Sequence, residues 1–241
     1  PPRSTLFPYT TLFRSTIDVA VHIGTLFAVV IYFWADVKTA FAGILRLIQG
    51  KIDTQGAFLA LCLLISTVPV VLLGFVLHMF DMAEMLRSTA VIGWMMLVFG
   101  IVLYWTDQKG ETAKISESWS LKDAAIMGLW QALALIPGTS RSGITISGAR
   151  LLGYAREDAA KLAMLMSIPT ILASGALLGA DVAVSGNTLI WQDAGIAAVF
   201  AFIAALFALA LMMRLLKSVS FTPYVIYRVI FGVILLGIAY L

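Results

Sequence analysis

The 241-residue chain is 61% hydrophobic and only 12% charged, with a mean hydropathy of +0.99 and a formal net charge of +3. A soluble domain carries about 25% charged and about 45–50% apolar residues, so the composition excludes a soluble globule and gives an all-α integral membrane protein whose apolar excess faces lipid. The small positive charge comes without any basic cluster set among aromatics, which excludes nucleic acid as a partner and puts the basic residues at a membrane surface.

The chain opens PPRSTLFPYTTLFRS, Pro1–Ser15. This stretch lacks the apolar core and small-residue cleavage site of a signal peptide. It is identical to one reading frame of a common DNA-sequencing adapter. It is therefore set aside as an assembly artefact, and the native sequence, a single transmembrane domain over 16–241, is expected to start near Thr16. Six later segments are apolar over the roughly 17–25 residues that a spanning helix needs. They are Ile17–Trp34, Gly56–Phe80 with Pro69 as a kink, Thr89–Trp105, Ala159–Ala180 with Pro169 inside, Ala194–Leu216 and Pro223–Leu241. Cys62, the lone cysteine, lies within the second and has no disulfide partner, so a small buried role is its reading. His22 and His78 are far apart, and no Cys/His cluster marks a zinc site. His22 is expected to bond a neighbouring helix and His78 to sit at the interface. Trp34, Trp105 and Trp191 fall near span ends, as an aromatic belt would, and Trp94 and Trp130 fit that less well.

Between the third and fourth spans the pattern changes. Lys122–Ile136 is apolar but only about 15 residues long and stops at Pro137-Gly138; Ile144–Gly153 is shorter still. Neither piece can cross alone. The connections Asp36–Gln55, Thr106–Lys122, Arg150–Lys161 and Arg214–Thr222 are basic, whereas Asp81–Ser88 and Asp181–Asp193 are not. Basic loops stay cytoplasmic, and six spans alternate correctly only if 122–153 enters and leaves by the cytoplasmic side. Length and charge both predict a re-entrant hairpin.

Its tip reads IPGTSRSG, Ile136–Gly143. Pro137 lacks an N–H and pushes Ile136 out of the helix. Gly138 can close the first half-helix in a left-handed geometry, and Ser140 or Ser142 can cap the second. If Ser142 is the cap, the N–H groups of Gly143 to Thr145 point into a cavity at the positive end of a helix dipole. Arg141 adds a planar fork suited to phosphate oxygens, and Ser140, Ser142 and Thr145 add hydroxyls. The pattern describes an anion site, with phosphate the best fit. The competing reading is a packed kink in which Gly143 and Ser147 form a small-residue contact. Arg141 weighs against it, because an arginine at membrane depth is expensive and usually functional. Gln131 either lines the cavity or, more in keeping with a membrane bundle, bonds a neighbouring helix. Arg228 either snorkels to the interface or pairs inside the bundle as a second support for the site. Glu157 and Asp158 suit a helix N-terminus.

The tip and its flanks, LALIPGTSRSGITISG at Leu133–Gly148, resemble the undecaprenyl-pyrophosphate phosphatase family of the bacitracin-resistance type. Its Pro-Gly-x-Ser-Arg-Ser-x-x-Thr motif matches Pro137 to Thr145 at each specified position. DVAVHIGTLFAVVIYFW, MSIPTILASG and SFTPYVIYRVIFGV look familial too, so the resemblance covers essentially Thr16–Leu241. It implies a fold of two inverted repeats, each with a re-entrant hairpin, of which this chain would be a remnant. It also implies hydrolysis of undecaprenyl pyrophosphate to the monophosphate with a divalent cation, Mg or Ca, at a site open to the outer face of the bacterial inner membrane. By position Arg141 would grip the pyrophosphate, with Ser140, Ser142 and Thr145 as catalytic hydroxyls and Gly138, Thr139, Gly143, Gln131 and Arg228 beside the substrate. The partners expected are the isoprenoid pyrophosphate lipid and membrane lipid, with a homodimer allowed.

One departure stands out. The family's Glu/Gln-x-x-x-Glu pair and Pro-Val-Ser-Ser-Thr-Gly-His stretch belong before the segment that begins at Thr16, and no such motif occurs here. The metal carboxylates are thus expected to lie outside this chain, and the chain as written is expected to be inactive or nearly so. A transporter or flippase for an anionic isoprenoid lipid is the alternative, since broken helices and inverted repeats are also transporter architecture. A membrane scaffold would leave Arg141 unexplained.

Overall fold

The computed structural model describes residues 7–80, 86–183 and 188–241, with side chains at 17–77, 79–80, 86–175 and 192–241. Among the described residues there are nine α-helices and no strand. They are α1 (Phe7–Tyr32), α2 (Trp34–Ile48), α3 (Gln55–Met79), α4 (Thr89–Lys109), α5 (Leu121–Ala132), α6 (Arg141–Leu151), α7 (Arg156–Ala183), α8 (Thr188–Leu215) and α9 (Thr222–Tyr240). The expectations for His78 and Trp191 lie outside the described side chains.

Four helices are long and apolar enough to cross a membrane by themselves, over Gln55–Leu77, Thr89–Lys109, Gln192–Leu215 and Thr222–Tyr240. A fifth crossing counts only if Ile17–Tyr32 and α2, which break at Phe33, form one bent span. The expected span Ala159–Ala180 lies inside α7 but is not among the four; its side chains are described only to Gly175, and its start carries Arg156, Glu157, Asp158 and Lys161. The protein is an all-α, multi-pass membrane protein, with fewer clear crossings among the described residues than the six expected. The connection expected at Asp36–Gln55 is mostly the helix α2. Its charges (Asp36, Lys38, Arg46) are interleaved with Phe41, Ile44, Leu45 and Ile48, and such interleaving is a helix signal that a charge count overlooks.

The chain divides into two compact units, one of residues 1–37 and 167–212 and one of 38–166 and 213–241. In the first, His22 bonds the carbonyl of Asp18 through Nδ1 at 2.7 Å, so its partner is its own helix and not the neighbouring helix expected. In the second, α4 packs along α9 through Gly93 and Gly232, small residues that bring two backbones together where lipid gives no hydrophobic drive. There α3 packs on α5, and α4 and α5 both pack on α6. Cys62 on α3 is fully buried, as its apolar surroundings require.

Candidate active site

The segment 121–151 folds as the expected hairpin. α5 has 12 residues and α6 has 11, so each is about 16–18 Å long, little more than half the hydrocarbon thickness. The two lie antiparallel. At the base the Tyr154 hydroxyl donates to Asp123 Oδ2 at 2.7 Å. Midway a side chain at Gly148 would press on the Trp130 ring, whose Cγ lies 2.8 Å from the Cβ position. These pairs converge on Gly138–Thr139, where the chain reverses. Ser120 caps α5 by accepting the Asp123 N–H at 3.1 Å. A 3₁₀ turn, Leu133–Leu135, tightens its far end, and Ile136 is extended at φ −81°, ψ 118°, as the following proline demands. Gly138 has φ +91°, and its α-carbon faces the backbone of Ile92 on α4, where a β-carbon would collide.

The second half-helix starts two residues earlier than a Ser142 cap would allow. Ser140 is the cap: its Oγ accepts the N–H of Gly143 at 3.3 Å, and Arg141 opens α6. Ser140 itself sits at φ +68°, a conformation that costs a non-glycine residue about 1–3 kcal/mol and needs outside support. That support comes from α9. The Tyr224 hydroxyl lies 2.9 Å from Ser140 Oγ. One turn further on, Arg228 donates from Nη2 to the carbonyls of Gly138 at 2.7 Å and Thr139 at 2.9 Å. Its guanidinium stands 5.9 Å over the Tyr224 ring. Arg228 is 4% exposed, which decides between the two readings of it: it does not snorkel but holds the hairpin tip.

The candidate residues thus divide by place. Ser140, Arg141 and Ser142 are half-buried at the tip, together with Gly138 and the buried Thr139 and Gly143. Thr145 is also close, but its hydroxyl donates back to the Arg141 carbonyl at 2.6 Å, so that proton is spent inside α6 and does not face a cavity. Gln131 donates from Nε2 to the Ser66 carbonyl on α3 at 3.4 Å, fully buried; it bonds a neighbouring helix. Ser147 bonds the Gly143 carbonyl at 2.9 Å, and the tight contact of α6 is at Gly148, one position beyond the small-residue pair considered for a kink. Among the described residues no three of His, Cys, Asp and Glu stand together in a way that could hold a metal ion, so these residues do not by themselves fit a divalent cation.

Sequence reasoning did not find Tyr224, though its i, i+4 spacing from Arg228 put both on one helix face. It also read the connections Thr106–Lys122 and Arg150–Lys161, which hold Lys114, Arg150 and Arg156, as loop charge only. Arg150 is 1% exposed and donates to the carbonyls of Asp107 at 3.0 Å, Gly110 at 2.7 Å, Glu111 at 2.9 Å and Tyr154 at 2.5 Å. The Asp107 carboxylate faces Arg150 Nε at 3.3 Å and Arg156 Nε at 2.7 Å, and also accepts the Phe221 N–H at 3.2 Å. Lys114 reaches Asp123 at 2.9 Å. The hairpin is clamped at its base by this ionic cluster and at its tip by Arg228. What remains between is a helix start with a guanidinium and two serines, an arrangement able to bind an anion.

Known proteins resemble this chain over nearly its whole length. The bacitracin resistance protein BacA family matches residues 4–234. A protein of Dinoroseobacter shibae named undecaprenyl-diphosphatase is 70% identical over 224 residues, covering 93% of this chain and 84% of its own length. Another of that name from Roseobacter denitrificans is 64% identical over the same shares. The undecaprenyl-diphosphatase 1 of Rhodospirillum rubrum is 44% identical over 93% of this chain and 79% of its own. With a match across nearly its whole length and the Pro137–Thr145 motif at the tip of a folded helical hairpin, the chain belongs to the bacitracin resistance protein BacA family.

Proposed function

We propose that this protein is a hydrolase of undecaprenyl diphosphate. Water attacks the terminal phosphorus, the P–O–P bond breaks, and the products are inorganic phosphate and the lipid monophosphate used as a carrier in cell-wall synthesis. The observation that carries this reading is Arg141 at the first position of α6, capped by Ser140, at the apex of the hairpin. The transition state collects negative charge on phosphoryl oxygens, and fixed donors aimed there lower the barrier. Arg141 grips the diphosphate; Ser140 and Ser142 line it; Gly138, Thr139 and Gly143 shape the backbone around it. Arg228 and Gln131 hold the tip and the first half-helix in place, and Thr145 stiffens the first turn of α6. The isoprenoid tail stays in lipid along the exposed apolar faces of the bundle. The named relatives support hydrolysis and give the transporter alternative no support.

The reading extends to the bacterial inner membrane, with the basic hairpin base on the cytoplasmic side and the tip reached from the outer face, and to a divalent cation, Mg or Ca. No step above is routed through the cation. The test is phosphate release from an isoprenyl diphosphate in detergent. It is run on this chain, and on this chain joined before Thr16 to a hairpin bearing the Glu/Gln-x-x-x-Glu pair, each with and without Arg141→Ala and with and without EDTA. Release that Arg141→Ala abolishes supports the proposal. Movement of labelled lipid across a vesicle with no release of phosphate overturns it.

A further inference from the structure

We infer that Tyr224 is a further positioning residue of this site, and that it and Ser140 work as one hydroxyl pair presenting a single proton donor to the diphosphate. The inference rests on the function proposed above and deepens it.

Counting protons leads to it. Ser140 Oγ already accepts the Gly143 N–H, so one of its lone pairs is committed to the cap. It also lies 2.9 Å from the Tyr224 hydroxyl, a distance at which one of the two O–H groups donates to the other. The pair has two protons and consumes one. If tyrosine donates, the serine proton is left over; if serine donates, the phenol proton is. Either way one O–H remains beside the first turn of α6, where Arg141 and Ser142 lie. Its donor strength is raised because the other hydroxyl of the pair polarises it. Tyr224 as a residue is 38% exposed, whereas Thr145 is 0% exposed with its hydroxyl bonded back into α6. The ring is held from behind by Arg228 at 5.9 Å, which also fixes the carbonyls of Gly138 and Thr139. The left-handed φ of Ser140, +68°, turns its side chain toward α9 and gives the strained backbone a purpose.

The test compares Tyr224→Phe, Ser140→Ala and the double variant with the unaltered chain and with Arg141→Ala. The readouts are binding of farnesyl diphosphate against farnesol in detergent, and kcat and KM for phosphate release where turnover is measurable. Tyr224→Phe keeps the ring on Arg228 and removes only one support of Ser140, so it is expected to lower the melting temperature by only about 2–4 °C. It is expected to weaken diphosphate binding about tenfold, the worth of one hydrogen bond to a charged group, or to lower kcat by that factor at similar KM. Ser140→Ala in the Tyr224→Phe background is then expected to cost clearly less than alone, because the pair acts as a unit. Tyr224→Phe binding and turning over like the unaltered chain, with Arg141→Ala defective, overturns the inference and leaves the function standing. Fully additive losses overturn the pairing. Failure of both the unaltered chain and Arg141→Ala to distinguish the diphosphate from farnesol overturns the function, and this inference with it.

Discussion

Arg228→Met isolates what the clamp at the hairpin tip contributes. The substitution keeps the unbranched apolar stem and removes the guanidinium, so the carbonyls of Gly138 and Thr139 lose their donors. Each lost bond from a charged donor is worth about 1.5–3 kcal/mol, and a buried carbonyl left without a partner costs about 1–3 kcal/mol. The opposing term is relief from holding a guanidinium that is only 4% exposed. With two carbonyls affected and the burial of charge relieved, a net loss of about 2–4 kcal/mol is expected. For a chain of this size that lowers the melting temperature by about 5–15 °C. Thermal unfolding in detergent measures the global effect. Amide hydrogen exchange at Thr139–Gly143 measures the local one and is expected to accelerate more than exchange in the middle of α4. Arg228→Lys restores the charge without the fork and should recover only part of the loss. The contrast is Arg141→Ala, which is expected to remove diphosphate binding. If Arg228→Met melts with the unaltered chain and its tip amides exchange no faster, the tip is held by something else and the clamp argument is wrong.

Gly138→Ala demands a left-handed backbone from alanine, at roughly 1–2 kcal/mol, and drives a β-carbon into the Ile92 backbone. It should abolish diphosphate binding and lower the melting temperature by more than Arg228→Met, read in the same two assays. The third prediction concerns alkaline pH. Tyr154, fully buried at the hairpin base, has its phenol pushed well above the usual range, first by burial and then by its hydrogen bond to the Asp123 carboxylate. The unfolded chain therefore loses this proton first. The stability linked to it is complete below about pH 10, the ordinary phenol value, and falls as pH rises beyond that. Melting temperature followed from pH 8 to 11 should drop along the upper half of this range, and Tyr154→Phe should flatten that drop.

The hairpin was legible in the sequence because its cause is simple. Two apolar stretches too short to cross, joined by Pro137-Gly138, leave the chain little choice but to turn back. The extended Ile136, the left-handed Gly138 and a serine cap followed from the same local rules. The choice between Ser140 and Ser142 as cap did not, because capping propensity is equal for the two and the decision is made by Tyr224, which lies 84 residues away along the chain. The inward bond of Thr145 was hidden for a similar reason: a threonine one turn into a helix can always bond backwards, and composition does not report whether a cavity competes for it. α2 was missed because counting charges over Asp36–Gln55 treated a helix with a mixed face as a loop.

The two ends of the hairpin are held by the same chemistry, used to different electrostatic effect. A doubled-back segment ends in irregular backbone whose carbonyls find no helix partner, and membrane depth supplies little water to satisfy them. One guanidinium, with several donors in a plane, satisfies several carbonyls together. At the base Arg150 does this for four carbonyls, and the Asp107 carboxylate beside it balances the charge. At the tip Arg228 does it for two, yet among the described residues no carboxylate pairs with it. The two clamps thus share one donor geometry and differ, among the described residues, in whether a carboxylate stands beside the guanidinium.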